Sequence, residues 1–193
     1  FIFQVKGKGT EILAKKEVGD LVDILGPLGK GTFKIDNYDR VAIIGGGIGV
    51  FPLYELSRNA IKSCKNVDIY LGFRNKDFVV LENEFKNVST NLKITTDDGS
   101  YGINGYAINV LKDDLKNSKV DMIYACGPLP MLRAVQALAI ETNTPCQISL
   151  EEKMGCGIGA CLGCAVKVAN KEPLTYKHVC KAGPVFDATT VEI

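Results

Sequence analysis

The chain has 193 residues, of which 46% are hydrophobic and 23% are charged, and its formal net charge is +1. A nearly neutral chain of ordinary composition lacks the electrostatic footprint of a nucleic-acid-binding or membrane-surface protein. The most apolar stretch, residues 41–53, is broken by glycines and a proline, so the sequence contains no transmembrane candidate. Cysteines without a visible signal peptide favour a reducing, cytoplasmic location.

The first 37 residues predict short β elements and one helical turn. Residues 1–5 and 21–25 have the composition of strands, and Thr10 is a candidate N-cap for a helix over residues 11–16. The Gly-x-Gly-Thr turn at residues 7–10 would offer free N–H groups to an anion, but an ordinary strand-turn-helix connection explains it better by itself. Because the chain opens on a strand-like run and not on methionine, we expect earlier strands of a β-barrel to precede Phe1.

From residue 38 onward, apolar runs alternate with helical patterns. The predicted strands are residues 41–44, 67–71, 92–96, 122–125 and 147–150. The predicted helices are centred on residues 53–60, 77–85, 106–115 and 128–141. Regular alternation of this kind predicts a doubly wound parallel sheet of five strands.

The first predicted strand ends in a glycine-rich turn that contains Gly45, Gly46, Gly47 and Gly49. Glycines allow the backbone to approach a pyrophosphate at the start of a helix. Val50, however, replaces the third glycine of the dinucleotide fingerprint, and Arg74 stands where an acidic ribose ligand would follow the second strand. We interpret the turn as a nucleotide site of non-standard form, with a simple tight turn as the alternative.

Two further turns fall at the same edge of the predicted sheet. Cys126, Gly127 and Pro128 end the fourth strand, and Asp98 follows the third. Open α/β sheets bind ligands at this carboxyl edge. Cys126 would therefore approach a nicotinamide or be a small buried core thiol, and Asp98 would contact a ribose or cap a turn.

The periodic pattern stops after residue 150, and a cysteine-rich segment follows. Cys156, Cys161 and Cys164 form a C-x4-C-x2-C array, and Cys180 comes after fifteen intervening residues. This is the plant-type spacing for a [2Fe–2S] cluster. Structural zinc usually takes two short-spaced pairs, and seven cysteines, an odd count, fit a disulfide framework poorly. The cluster is the favoured interpretation, and zinc is the alternative.

The cysteine and nucleotide motifs together carry a resemblance to known families. Residues 45–49 and 126–128 resemble the ferredoxin–NADP⁺ reductase superfamily, whereas residues 149–164 and 179–186 resemble the electron-transfer subunits of type B dihydroorotate dehydrogenases. The resemblance implies a ferredoxin-reductase-like α/β fold in three parts. These would be the end of a FAD-binding β-barrel at residues 1–37, an NAD domain at 38–150 and a [2Fe–2S] module at 151–193.

The resemblance also implies roles for individual residues. It assigns cluster ligation to Cys156, Cys161, Cys164 and Cys180. It assigns FAD contacts to Ile2, Phe3, Gln4, Gly9 and Thr10. Gln4 departs from the arginine common at that position, and the family's earlier Arg-Pro-x-Ser flavin motif is absent.

The function implied by the resemblance is electron transfer in pyrimidine biosynthesis. Dihydroorotate would be oxidised at FMN on a separate catalytic subunit, within a heterotetramer, and electrons would reach NAD⁺ through the cluster and FAD of this chain. One alternative is a flavin and iron–sulfur subunit of a ferredoxin-dependent NADPH or sulfide oxidoreductase, in which Arg74 and Lys76 read a 2′-phosphate. Another is a redox-inactive regulatory module that binds zinc and a nucleotide.

Overall fold

The structure is a computed structural model that describes residues 2–169 and 172–193. Its helices are α1 Lys8–Ala14, α2 Val50–Ser63, α3 Glu82–Lys86, α4 Ala107–Leu115, α5 Leu129–Glu141 and α6 Val179–Ala182. Its strands are β1 Arg40–Gly46, β2 Asn66–Phe73, β3 Asn91–Thr96, β4 Ile103–Asn104, β5 Met122–Cys126, β6 Cys146–Ser149, β7 Ala165–Val168, β8 Tyr176–His178, β9 Val185–Asp187 and β10 Val191–Glu192. None of the helices in these ranges has the length and apolarity that a bilayer-spanning helix needs.

The main sheet confirms the predicted doubly wound arrangement. Its strand order is β4-β3-β2-β1-β5-β6-β9, with all pairs parallel except β6 with β9. All five predicted strands are present, but the predicted count was wrong because the sheet has seven. The two additional strands, β4 and β9, have only two and three residues and carry too little pattern to be recognised.

Helices cover both faces of this sheet, as a sheet with buried central strands requires. On one face, α2 packs Val50, Leu53 and Leu56 against the core. On the other face, α4 and α5 pack their own apolar residues against the core. In α5, Leu132, Val135 and Leu138 are buried. The sheet is therefore closed to water except at its ends.

The predicted helix over residues 77–85 was wrong in detail. A 3₁₀ turn occupies Lys76–Phe78, and α3 begins only at Glu82. Between them, Leu81 has φ +58, a left-handed conformation that interrupts a continuous helix.

The N-terminal segment differs most from expectation. Residues 2–5 and 21–25 form no strand, and the prediction at Phe1 lies outside the described residues. A strand needs a ladder of backbone hydrogen bonds to a neighbouring strand, and neither segment belongs to a sheet in the described part of the chain. Thr10 is not the N-cap of α1. Gly7 has that place, and the Thr10 hydroxyl accepts hydrogen bonds from the N–H groups of Lys6 and Gly7.

The last part of the chain forms a small sheet and also extends the large one. Strands β10, β7 and β8 make a separate three-stranded antiparallel sheet. Strand β9 is not part of this small sheet and pairs instead with β6 of the main sheet. The domain boundaries after residues 37 and 150 stay a prediction, and this pairing joins the third predicted segment directly to the main sheet.

Candidate nucleotide cleft and cysteine site

The two glycine-containing turns at the carboxyl edge of the sheet pack against each other. A Cβ atom on Gly49 would lie 2.6 Å from the carbonyl oxygen of Cys126 and 2.6 Å from Cα of Gly127. A Cβ on Gly127 would lie 2.9 Å from the backbone nitrogen of Gly46. Gly45 meets α2 instead, where a Cβ would crowd Leu53. These glycines are present because backbone approaches backbone here, leaving no room for side chains.

A cleft of about 500 Å³ opens beside these turns. Its lining includes Gly46, Gly47, Arg74, Asp97, Tyr106 and Pro128. The first turn of α4 follows Tyr106, so free backbone N–H groups lie at the same edge. The cleft thus combines exposed backbone, an aromatic ring and one charge of each sign, which suits a dinucleotide.

Two consecutive aspartates, Asp97 and Asp98, follow β3 at this edge, and they differ in their surroundings. Asp98 does not line the cleft: its carboxylate accepts hydrogen bonds from the backbone N–H of Ser100 at 2.9 Å and from the Ser100 hydroxyl at 2.6 Å. These bonds lower the pKa of Asp98. The neighbouring Asp97 lines the cleft and was missed as an individual candidate. Asp98 therefore caps the turn that presents Asp97.

Cys126 is a buried thiol in the structure. It is 2% exposed, and burial raises its pKa to about 11 despite a hydrogen bond with Ser149. A neutral, enclosed thiol at the end of β5 is a packing group, although its backbone carbonyl touches the glycine turn. Its side chain is not among those that line the cleft.

Cys164 and Cys180 come together in the cysteine-rich segment. Cys164 precedes β7 and Cys180 lies in α6, and the backbone N–H of Val179 donates to the carbonyl of Cys164 at 3.0 Å. The two sulfur atoms are 3.2 Å apart. The backbone N–H of Cys180 lowers the pKa of Cys164, while the hydrogen bond between the thiols raises the pKa of Cys180. One buried pair of sulfurs is thus preformed.

Cys156 and Cys161 form the second part of the site. The backbone N–H groups of Cys161 and Ala160 each donate to the Cys156 sulfur at 3.3 Å. These bonds, led by the one from Cys161, lower the pKa of Cys156 to about 6. A Cβ on Gly155 would be 3.1 Å from the Cys161 sulfur, which explains the glycine. The loop therefore wraps its own backbone around a sulfur atom.

The donor set fits a binuclear cluster better than a single metal ion. In a [2Fe–2S] cluster with four thiolates, each iron takes two cysteines. The side chains divide in that way, Cys164 with Cys180 and Cys156 with Cys161.

Both the cysteine-rich segment and the segment with the glycine turns match known protein families. Residues 151–192 match the model for the iron–sulfur cluster binding domain of dihydroorotate dehydrogenase B, and residues 43–137 match an oxidoreductase NAD-binding domain. The chain is 43% identical to the dihydroorotate dehydrogenase B (NAD(+)) electron transfer subunit of Caldanaerobacter subterraneus subsp. tengcongensis, covering 98% of this chain and 74% of that protein. It is 45% identical to the subunit of the same name from Bacillus caldolyticus, covering 98% and 72%.

The chain belongs to the family of dihydroorotate dehydrogenase B electron transfer subunits. Among solved structures, that of an NADH-dependent reduced ferredoxin-NADP oxidoreductase is similar, with a TM-score of 0.84 and 34% identity over 98% of this chain and 67% of that one. The cytochrome b5 reductase domain of Ulva prolifera nitrate reductase shares the fold, with a TM-score of 0.57 and 20% identity over 71% and 60% of the two chains. The ferredoxin-reductase-like fold inferred from the glycine turns is thereby confirmed.

The residues that the family resemblance assigns to FAD lie on an open surface. Ile2, Phe3, Gln4 and Gly9 are exposed, and Thr10 is partly buried by its hydrogen bonds to residues 6 and 7. Accessible backbone and side-chain atoms at residues 2–10 leave room for a cofactor to lie against them.

Two further cavities share lining residues with the nucleotide cleft or the cysteine site. One of about 480 Å³ is lined by Gly127, Pro128, Glu151 and Glu152 among others, and Pro128 also lines the nucleotide cleft. The other, of about 420 Å³, is lined by the same two glutamates and by Cys180. Neighbouring depressions therefore share walls between the nucleotide cleft and the cysteine site.

Proposed function

We propose that this chain delivers electrons from the oxidation of dihydroorotate, carried out by a catalytic partner subunit, to NAD⁺, with [2Fe–2S], FAD and NAD as its cofactors. The observation that carries the proposal is the arrangement of four cysteines as two pairs in a chain that also has a cleft at its glycine turns. When bound, the flavin supplies the conversion between hydride chemistry at NAD and single-electron chemistry at the cluster.

The four cysteines of the site would hold the cluster. Buried Cys164 and Cys180 serve one iron, and Cys156 and the exposed Cys161 serve the other. Backbone N–H groups donate to the Cys156 sulfur and stabilise it as the thiolate that metal ligation needs. The exposed side of the site, at Cys161, is where an electron would arrive from outside the chain.

The nucleotide cleft is suited to NAD rather than NADP. We propose that Asp97 accepts a hydrogen bond from the adenosine ribose and that Tyr106, 61% exposed at the cleft, lies against the adenine. An acidic residue at a strand end discriminates against a 2′-phosphate by repulsion. In this reading, Gly45, Gly46, Gly47 and Gly49, with Gly127 and Pro128, allow the pyrophosphate to approach the backbone.

The partner is a catalytic subunit that carries FMN, in a heterotetramer with this chain. An apolar rim around the cluster loop supports its docking position. Met154, Ile158 and Leu162 are 52%, 61% and 58% exposed and lie in the same cysteine-rich segment as Cys161. Exposed apolar side chains concentrated around a redox centre are typical of a surface that a partner covers.

A visible spectrum with iron and sulfide analysis is the first test, because a [2Fe–2S] protein is coloured and a zinc protein is not. The sharper test is Cys161→Ser in the complex with the catalytic subunit. We expect transfer from dihydroorotate to NAD⁺ to be lost while exchange between NADH and the flavin continues. Cys64→Ser, a change at a buried packing cysteine far from the loop, is the matched control. Undiminished NAD⁺ reduction by a cluster-free complex would overturn the proposal.

A second function is favoured by one observation. The similarity to a solved ferredoxin-NADP oxidoreductase, together with Arg74 in the nucleotide cleft, fits a subunit that uses NADP(H). Comparing the dissociation constants of NADH and NADPH separates the two functions. Tighter binding of NADPH by the wild-type chain would favour the second one.

A further inference from the structure

Helix α6 places a lysine beside the cluster loop. Lys181 directly follows Cys180, and its methylene chain crosses over Gly159. A Cβ on Gly159 would lie 3.2 Å from Cδ of Lys181 and 3.7 Å from its Cβ. Gly159 has φ +82, so the loop turns there under the lysine side chain. The lysine thus contacts the loop that bears Cys156 and Cys161 while it follows a ligand from the opposite side.

The contact with Gly159 places Lys181 between the two parts of the cysteine site. Gly159 lies in the loop between Cys156 and Cys161, and Lys181 directly follows Cys180. The ammonium group of Lys181 is only two bonds beyond the Cδ atom that packs on Gly159. A positive charge is therefore tethered where α6 meets the cysteine loop.

The charge of Lys181 is not neutralised by an ion pair. Within the described part of the chain, no carboxylate oxygen lies within 4.0 Å of its ammonium group. Lys167, in the same small module, differs, because it forms an ion pair with Glu192 at 2.7 Å. Lys181 thus brings a positive charge without an ion-pair partner to the cysteine site.

We propose that Lys181 raises the reduction potential of the cluster, an inference that rests on the proposed presence of a [2Fe–2S] cluster at this site. Reduction adds one negative charge to a centre that is already anionic, and a nearby ammonium group stabilises the reduced state more than the oxidised one. Cluster potentials depend on net charge, hydrogen bonds to sulfur and exposure. Lys181 contributes the charge, and the packing of its methylene chain on Gly159 holds that charge at the cysteine loop.

The test is a potentiometric titration of the cluster in the purified complex, followed by electron paramagnetic resonance. Lys181→Met keeps the methylene chain and removes the charge. We expect its midpoint potential to shift to more negative values. Lys181→Arg restores the charge and should titrate like wild type. Lys86→Met, which removes a lysine from α3 at the far edge of the sheet, should leave the potential unchanged.

Iron and sulfide contents separate failure of this inference from failure of the proposed function. A wild-type complex without iron and sulfide would overturn the proposed function itself. A loaded Lys181→Met complex with the wild-type potential would overturn only the role of Lys181. If Lys181→Met does not retain the cluster, Lys181→Gln, with a polar uncharged head, decides by the same criterion.

Discussion

A methyl group added at Gly49 tests whether the contact between the two glycine turns holds the nucleotide cleft in shape. In Gly49→Ala the new Cβ would lie 2.6 Å from two atoms of the Cys126–Gly127 backbone, whereas ordinary contacts begin near 3.4 Å. One turn must therefore move by about 0.8 Å, since neither atom belongs to a flexible side chain. Overpacking of this kind costs about 1–3 kcal/mol.

The backbone conformation at Gly49 excludes backbone strain as a second cause of any loss of stability. Its φ of −64° is ordinary for alanine, so replacing glycine there would otherwise be neutral or stabilising by about 0.4–1 kcal/mol. A net loss of stability consequently measures the steric contact. Because the displaced turn lines the cleft, we expect NADH affinity to fall by roughly tenfold, which corresponds to about 1.4 kcal/mol.

Urea denaturation followed by circular dichroism gives the stability, and NADH fluorescence gives the dissociation constant. Gly26→Ala is the matched control, because a Cβ there has no neighbour within 4 Å and the segment is exposed. The control should match wild type in both measurements. Wild-type stability together with wild-type NADH affinity in Gly49→Ala would refute the idea that backbone contact shapes the cleft.

Substitutions at two residues test contacts of the main sheet, and an alkylation experiment tests its buried thiols. Tyr124→Phe should lower the free energy of unfolding by about 1 kcal/mol, because its hydroxyl donates to the carbonyl of Lys34 at 2.7 Å; an unchanged urea midpoint would contradict this. Asp68→Ala should cost about 2–3 kcal/mol, since this buried carboxylate accepts hydrogen bonds at 2.6 and 2.7 Å, and Asp68→Asn should cost less. Burial raises the pKa of Cys126 to about 11 and of Cys146 to about 12, so both stay neutral thiols up to pH 9. Alkylation at pH 8 should spare them in the native protein and modify them in urea, where their pKa values return to the ordinary range.

The central sheet could be predicted because its signal is local. Residues 41–44 form an uninterrupted apolar run, and a strand buried on both faces requires such a run. The cysteine site could be predicted as well, because the number and spacing of its cysteines are visible in the sequence. Strand β9 could not be found in this way, since three residues that pair antiparallel with β6 have no periodicity of their own.

The nucleotide cleft could be placed but not completed from the sequence. Consecutive aspartates follow β3, and nothing in the sequence alone says which of them faces the cleft. The choice is made by Gly99, whose φ of +72 turns the chain so that Ser100 binds Asp98 and leaves Asp97 at the cleft. The strands expected at residues 2–5 and 21–25 failed for a related reason, because strand formation depends on neighbours and not only on composition.

The pairing of β9 with β6 joins the segment after Cys180 to the main sheet. Beyond that pairing, the N–H of Leu150 donates to the carbonyl of Pro184 at 2.9 Å, and the N–H of Gly31 donates to that of Gly183 at 2.9 Å. Domains on free linkers swing between donor and acceptor. Here the segment that follows Cys180 is hydrogen-bonded on two sides. We therefore expect the cysteine site to keep its distance from the cleft during turnover, without a shuttling movement inside the subunit.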